Sequence, residues 1–94
     1  MNHKNGFNPL SRTTAHRRAM SRNMVTSLFR YERITTTTAE ALEVRKAAEI
    51  LITRSKVDTV HNRRQAARFI QDETILAKLF TDIGPRMKDR AGGY

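Results

Sequence analysis

Apolar residues recur at intervals of three or four positions in several separate stretches of this chain, and this spacing restricts its fold more than any other feature. Such a period places apolar side chains along one face of a helix, whereas a period of two would place them along one face of a strand. The first stretch runs from about Thr13 to Tyr31, with an apolar stripe of Met20, Met24, Leu28 and Tyr31. The spacing predicts an amphipathic first helix that buries this stripe against neighbouring elements.

A capping pattern marks the start of a second helix. Thr37 stands three residues before Glu40, which is the spacing of a capping box. We therefore expect a helix that begins at Thr37 or Thr38 and runs to about Ser55. The stripe predicted to be buried along it consists of Ala41, Val44, Ala48, Leu51 and Ile52.

Two more helices are expected after a short break. Asp58 or Thr59 can cap a third, basic helix that reaches about Ile70. A fourth helix opens with the acidic pair at 72–73 and ends at the Gly-Pro pair at 84–85, which predicts a left-handed cap followed by a stop. Its predicted buried stripe consists of Ile75, Leu76, Leu79, Phe80 and Ile83.

The stretch Ile34–Thr36 is β-branched throughout. Branching at Cβ restricts rotamers in a helix and suits a pleated surface, so we expect a short strand there. A lone strand leaves backbone donors and acceptors unpaired, so any sheet would be vestigial. The predicted fold class is α+β and mostly helical, with about four helices, a short strand between the first two, and an extended basic amino-terminal arm.

Positive charge is concentrated towards the amino terminus. The chain carries a net charge of +9, and residues 1–33 hold seven basic residues against one acidic residue, or +6 of that total. Residues 1–12 also contain Asn, Gly and Pro and no core of their own, which predicts an extended arm ahead of a single helical RNA-binding domain at 13–94. The charge indicates a nucleic acid partner, with an anionic membrane surface as the less favoured choice.

The sequence lacks the residues that several classes of function require. The chain has no cysteine, and His3, His16 and His61 do not have the spacing of metal ligands. Neither a glycine-rich phosphate loop nor an activated serine is present, and no apolar run is long enough to span a bilayer. We therefore expect no catalytic residue, metal, cofactor, small-molecule substrate or membrane association.

Three arginines of the first helix, Arg17, Arg18 and Arg22, are the strongest candidates for contact with RNA phosphates. A guanidinium group matches phosphate oxygens with two parallel hydrogen bonds and stays charged when partly desolvated. The alternative is a solvated helix face, but acidic residues are almost absent from the same stretch. His16 can stack on a base or donate to a phosphate.

Two stretches resemble the family of the bacterial large-subunit ribosomal protein numbered seventeen. In the first, HR at 16–17 and RNM at 22–24 resemble the family's amino-terminal helix motif. The second, more specific stretch consists of KLF at 78–80, GPR at 84–86 and RAGGY at 90–94. The order of the elements between them also agrees, so the resemblance covers essentially the whole chain.

The resemblance implies a structural, non-enzymatic constituent of the large ribosomal subunit, bound to ribosomes in the cytoplasm. It further implies binding to large-subunit ribosomal RNA and neighbouring ribosomal proteins near the rim of the nascent-chain exit tunnel. Matching positions and local charge together predict RNA contact by His3, Lys4, Arg12, His16, Arg17, Arg18, Arg22, Asn23, Arg63, Arg64, Arg86 and Arg90.

The chain departs from the family pattern at both ends. Residues 5–9 stand where the family usually has a more basic stretch, so the resemblance implies phosphate contact by the arm less firmly. The family's strands that pair with Ile34–Thr36 would follow Tyr94, where the sequence ends, either because it is cut there or because this variant stops early. Bacterial and organellar ribosomes are both compatible with these residues.

A freestanding nucleic-acid-binding regulatory or adaptor protein is the alternative. The third and fourth helices can be read as a helix-turn-helix pair, with Arg63, Arg64 and Arg68 on the third. The fourth helix would then enter the DNA groove, but it opens with acidic residues and is apolar on two faces. That distribution of charge argues against groove insertion.

Overall fold

Four helical rods account for most of residues 14–94, the part of the chain that the computed structural model describes. The first three are α1 (Thr14–Tyr31), α2 (Thr38–Ser55) and α3 (Val60–Ala67). The fourth is continuous, because α4 (Glu73–Lys78) passes through a π-helical turn (Leu79–Ile83) into α5 (Gly84–Arg86). The predicted arm at 1–12 lies outside the described residues.

Side-chain caps begin three of these rods where the sequence predicts them. The hydroxyls of Thr37 and Thr59 each accept a hydrogen bond from the backbone N–H three residues later, at 3.2 and 3.0 Å. The Asp72 carboxylate accepts from the N–H groups of Thr74 and Ile75 at 2.9 and 3.2 Å. Each such cap stabilises its helix by about 1 kcal/mol.

The predicted short strand and vestigial sheet are wrong. Residues 33–37 form an extended link, but no strand is present within residues 14–94, so the described part is helical and not α+β. A strand requires a second extended segment as its partner, and the described chain supplies none. Instead, Thr36 donates a hydrogen bond to the Glu40 carboxylate and Thr37 caps α2, so these threonines form the entry to a helix.

The core lies between the four rods. Its buried side chains are Val25, Phe29, Val44, Ala48, Leu51, Ile52, Ala66, Ile70, Ile75, Leu79, Phe80 and Ile83. Burial of each larger aliphatic or aromatic member contributes about 1.5–3 kcal/mol. Both α1 and α3 pack against α2 and α4.

The buried stripe of α1 is displaced from the predicted one. Val25 and Phe29 are fully buried, Met24 and Leu28 are half-buried beside them, and Tyr31 is 67% exposed. The prediction of a buried Tyr31 is therefore wrong, as is that of Ala41 in α2, which is exposed. Because α1 packs against both α2 and α4, its contact face is centred between the two and not on the methionine row.

The predicted left-handed cap at Gly84 is also wrong. Gly84 has a φ of −56° and a ψ of −52°, and the helix continues through Pro85 to Arg86. Proline is compatible with the first turn of a helix, so it does not stop α5. A Cβ atom at position 84 would lie 2.5 Å from the Ser55 carbonyl oxygen. Glycine is needed here because α5 approaches the end of α2 closely, and not because of its own φ.

Candidate nucleic-acid interface

The amino-terminal half of α1 carries basic residues and contributes no fully buried side chain between positions 15 and 24. We call its predicted RNA-contact residues the α1 face. They are His16, Arg18 and Asn23, which are exposed, and Arg17 and Arg22, which are half-buried. The structure thus places five of the predicted residues in the first turns of α1, on several sides of the helix and before its fully buried residues Val25 and Phe29.

Arg18 and Arg22 make no ion pair within residues 14–94. The first turn of α1 contains no acidic residue. The Nε atom of Arg22 is also covered by protein and has no hydrogen-bond acceptor in the described part of the chain. These two guanidinium groups therefore retain a positive charge that the fold does not neutralise, and they attract an anionic partner.

At its other end, α1 meets the fourth rod in a network of ion pairs, which we call the junction: Glu32, Lys78, Asp82 and Arg86. The Glu32 carboxylate accepts from Lys78 Nζ at 3.1 Å and from Arg86 Nη1 at 2.6 Å. Arg86 also binds Asp82, through Nε at 2.9 Å and Nη2 at 3.2 Å. Three of the five N–H donors of Arg86 are engaged by the two carboxylates, which therefore largely neutralise its charge.

Glu32 ends α1 in a left-handed backbone conformation, with a φ of 63°. Its backbone N–H donates to the Leu28 carbonyl at 2.6 Å, which closes the last turn. Hydrogen bonds from Arg86 and then Lys78 lower the pKa of Glu32 to about 2. Sequence reasoning missed this residue, although it is the single acidic residue among the first 33, and that isolation was the available signal.

Arg63 and Arg64 are neighbours in sequence but lie in different surroundings. Arg63 binds the Asp58 carboxylate through Nε and Nη2, at 2.6 and 2.8 Å, and its guanidinium carbon lies 5.3 Å from the centre of the Phe80 ring. The hydrogen bond from Arg63 lowers the pKa of Asp58. Arg64 is exposed and makes no ion pair within the described residues. Arg63 therefore supports the start of α3, while Arg64 faces solvent.

Arg90 lies in the segment that closes against the end of α2. Its Nε donates to the Gly92 carbonyl at 3.0 Å, and its own carbonyl accepts from Lys56. The Lys56 ammonium also lies 4.5 Å from the centre of the Tyr94 ring, and the Tyr94 hydroxyl is 3.1 Å from Thr53 Oγ1. These contacts hold the RAGGY segment in place. Arg90 itself is exposed.

The remaining predicted residues, His3, Lys4 and Arg12, lie outside the described part of the chain. Within residues 14–94, no three His, Asp or Glu side chains are close enough together to hold a metal ion. None of the described helices is both long and apolar enough to cross a membrane. An open groove of about 470 Å³ is lined by Glu49, Ile50, Thr53, Arg54, Asn62, Gly92 and Tyr94, a set that includes no nucleophile paired with a base.

Comparison with known proteins establishes the family. The family model described as ribosomal protein L17 matches residues 20–94, which cover the end of the α1 face and everything after it. The chain belongs to the ribosomal protein L17 family. This confirms the resemblance, and the matched range includes the RNM, KLF, GPR and RAGGY motifs.

Three curated relatives in this family are each named large ribosomal subunit protein bL17, and each aligns with all 94 residues. The proteins of Treponema denticola and Treponema pallidum are 76% and 70% identical, and that of Borrelia turicatae is 58% identical. The chain spans 52% and 57% of the length of the two Treponema relatives, and 76% of the Borrelia relative. These alignments include the whole α1 face.

Proposed function

We propose that this chain is a structural, non-enzymatic constituent of the large ribosomal subunit, bound to ribosomal RNA and neighbouring ribosomal proteins in cytoplasmic ribosomes. One observation carries the proposal: the L17 relatives named as large-subunit proteins align with the whole chain, including the α1 face. The positive charge that the fold does not neutralise in Arg18 and Arg22 supplies the physical basis for RNA binding.

The α1 face is the primary RNA contact in this proposal. Arginines there contact phosphates, while the exposed amide of Asn23 and ring of His16 can reach sugar or base edges. The interface reads RNA shape and phosphate position more than base sequence, since most of its groups are phosphate ligands.

The other predicted residues contribute to RNA binding to different extents. Arg64 and Arg90 are exposed and can bind phosphate directly, whereas carboxylates already neutralise much of the charge of Arg63 and Arg86, so these two bind phosphate more weakly. His3, Lys4 and Arg12 extend the interface along an arm at 1–12, ahead of a domain at 13–94. The proposed site on the ribosome is near the rim of the nascent-chain exit tunnel.

Sedimentation tests this function. A tagged chain is expressed in a bacterium, and the extract is separated on a sucrose gradient and washed with increasing salt. We expect co-migration with large subunits that withstands moderate salt. Recovery of the chain only in the light fractions would contradict the proposal and favour the freestanding adaptor.

A pair of charge-matched variants tests the α1 face. Arg18→Gln with Arg22→Gln and Arg45→Gln with Lys88→Gln each remove two positive charges that make no ion pair in the described structure. Binding to purified large-subunit RNA should weaken about a thousandfold or more between about 50 and 200 mM salt, if about 6–10 phosphates are neutralised. The first variant should reduce that salt dependence, and the second should leave it unchanged. An affinity independent of salt would rule out this mechanism.

A further inference from the structure

The π-helical turn changes the hydrogen-bond ladder of the fourth rod at one place. Before it, the Leu79 N–H donates to the Ile75 carbonyl, four residues earlier, and after it the Met87 N–H donates to the Ile83 carbonyl across the same interval. Between them, the Gly84 N–H donates to the Leu79 carbonyl, five residues earlier. Such turns are rare inside α-helices, so this one requires a physical cause.

The burial pattern shows that the helix changes phase at this turn. An α-helix rotates about 100° per residue, so an uninterrupted helix would place Asp82 and Arg86 within about 20° of Ile75. Ile75 is buried in the core, whereas Asp82 and Arg86 are exposed. The same helix would turn Gly84 about 180° away from Ile75, yet Gly84 is buried against α2. A rod in one α-helical phase does not reproduce the observed burial.

Agreement returns when one residue of the turn is left out of the count. Gly84 then lies about 80° from Ile75, and Arg86 lies within about 20° of Lys78. The second value agrees with the structure, where the Glu32 carboxylate accepts hydrogen bonds from both Lys78 and Arg86. The turn therefore holds one residue more than the packing of the rod requires.

Thr81 is the residue of the turn that packing does not require. It is exposed, and its hydroxyl donates to the Ala77 carbonyl of the preceding helical turn at 2.7 Å. Three of the other members of Leu79–Ile83 are buried in the core, and the fourth, Asp82, binds Arg86. Thr81 is thus the one member of this turn with neither a buried side chain nor an ionic partner.

We infer that the π-helical turn is a register device in which Thr81 is a surplus residue, and that it rotates the end of the fourth rod by about 100°. The two halves of the rod pack against different elements, α4 against α1 and α3, and α5 against α2. The rotation lets Gly84 meet α2 and Arg86 meet Glu32 while α4 keeps its own contacts. This inference concerns the architecture of the chain and is independent of the proposed RNA binding.

Pro85 supplies a competing, local explanation. Proline has no N–H to donate to the Thr81 carbonyl, four residues earlier, and in an α-helix its ring would clash with that carbonyl. If proline alone causes the turn, an alanine at position 85 restores a regular α-helix. If the contacts of α5 cause it, the turn persists in Pro85→Ala.

Single-residue deletions in the full 94-residue chain test the inference. Deletion of Thr81 should convert the turn to α-helix and leave the later residues in phase, so the thermal midpoint should fall by no more than about 5 °C. Deletion of Ala77 is the matched control. It also lets the turn relax, but it rotates Leu79 and Phe80 by about 100° away from their core positions. Its midpoint should fall by about 20 °C or more.

Nuclear magnetic resonance couplings across hydrogen bonds give a readout of register that does not depend on stability. The Gly84 N–H should keep the Leu79 carbonyl as its acceptor in the unaltered chain, after deletion of Thr81 and in Pro85→Ala. A move of this acceptor to Phe80 in Pro85→Ala would overturn the inference in favour of the local explanation.

The two deletions must also differ in the stated direction. A midpoint loss after deletion of Thr81 that equals or exceeds the loss after deletion of Ala77 would show that Thr81 is not surplus. Small losses in both would show that the phase of the rod does not matter for its packing. Either result overturns the register device and leaves the proposed function intact.

Discussion

Basic side chains lie near both ends of α1, but acidic partners neutralise them at one end only. In the amino-terminal half, Arg18 and Arg22 make no ion pair with any described residue, and no side chain there is fully buried. At the junction, Lys78 and Arg86 share the Glu32 carboxylate, and Arg86 also binds Asp82. The availability of acidic residues, and not the number of basic ones, separates arginines that hold the fold together from arginines that remain free for a partner.

Substitution of Gly84 should have the largest effect, because the junction depends on the close approach of α5 to α2. In Gly84→Ala the new Cβ would lie 2.5 Å from the Ser55 carbonyl oxygen and 2.8 Å from its carbonyl carbon, which are backbone atoms that cannot rotate away. We expect destabilisation of about 2–3 kcal/mol, or a thermal midpoint about 10–20 °C lower.

The matched control is Gly92→Ala, since nothing lies within 4 Å of a Cβ at that position. Its thermal midpoint should stay close to that of the unaltered chain. Equal thermal midpoints for the Gly84→Ala and Gly92→Ala variants would contradict this prediction. They would show that α5 can move away from α2 without a loss of stability.

A crossed pair of arginine variants tests the comparison directly. Arg22→Gln should weaken binding to large-subunit RNA about tenfold, the equivalent of one charge-assisted hydrogen bond of about 1.5 kcal/mol, with no loss of thermal stability. Arg86→Gln should lower the thermal midpoint, by less than Gly84→Ala does, and leave RNA affinity within about twofold. The reverse pattern in denaturation and filter-binding measurements would mean that the two regions have exchanged roles.

The smallest expected effect is a dependence of stability on acidic pH. Because the folded state holds the pKa of Glu32 near 2, below its ordinary 4.5, the junction's contribution is complete above pH 4.5 and is lost as pH falls from 4.5 towards 2. Urea denaturation across this range should show a shallower loss for Glu32→Gln than for the unaltered chain. Glu73→Gln, which removes an acid that makes no ion pair in residues 14–94, should retain the original slope.

Local signals predict the helices well, because a cap needs only residues close in sequence. Thr37, Thr59 and Asp72 begin helices at the predicted positions. The strand at 34–36 could not be settled in this way, since a strand depends on a distant partner that the segment itself does not specify. The prediction of a left-handed cap at Gly84 was wrong for a similar reason. Ser55, which Gly84 contacts, lies far away in sequence, and a glycine-proline pair alone resembles a helix stop.

The basic side chains of the candidate interface were recognisable from the sequence, but whether each one forms an ion pair within the fold was not. Charge counting treats Arg22 and Arg86 alike, whereas only the folded chain brings Glu32 to Arg86 across 54 positions. Arg63 and Arg64 show the same limit, because they are adjacent in sequence and only Arg63 is paired with a carboxylate. Whether a basic residue is paired with a carboxylate depends on contacts between residues that are distant in sequence. The sequence therefore identifies the candidate RNA-binding residues, and the fold shows which of them already have an acidic partner.

The absence of an acidic residue from the first turn of α1 also affects the helix itself. A helix dipole makes the amino-terminal end positive, so cations close to that end oppose helix formation by a few tenths of a kcal/mol each. Arg17 and Arg18 lie within the first five residues of α1. In the proposed complex, RNA phosphates close to the α1 face would relieve this repulsion, so helix formation at this end of α1 and RNA binding would share one electrostatic contribution. In the free chain, amide hydrogens at this end of α1 should therefore exchange with solvent faster than those beside Phe29. RNA binding should reduce this difference in exchange rate.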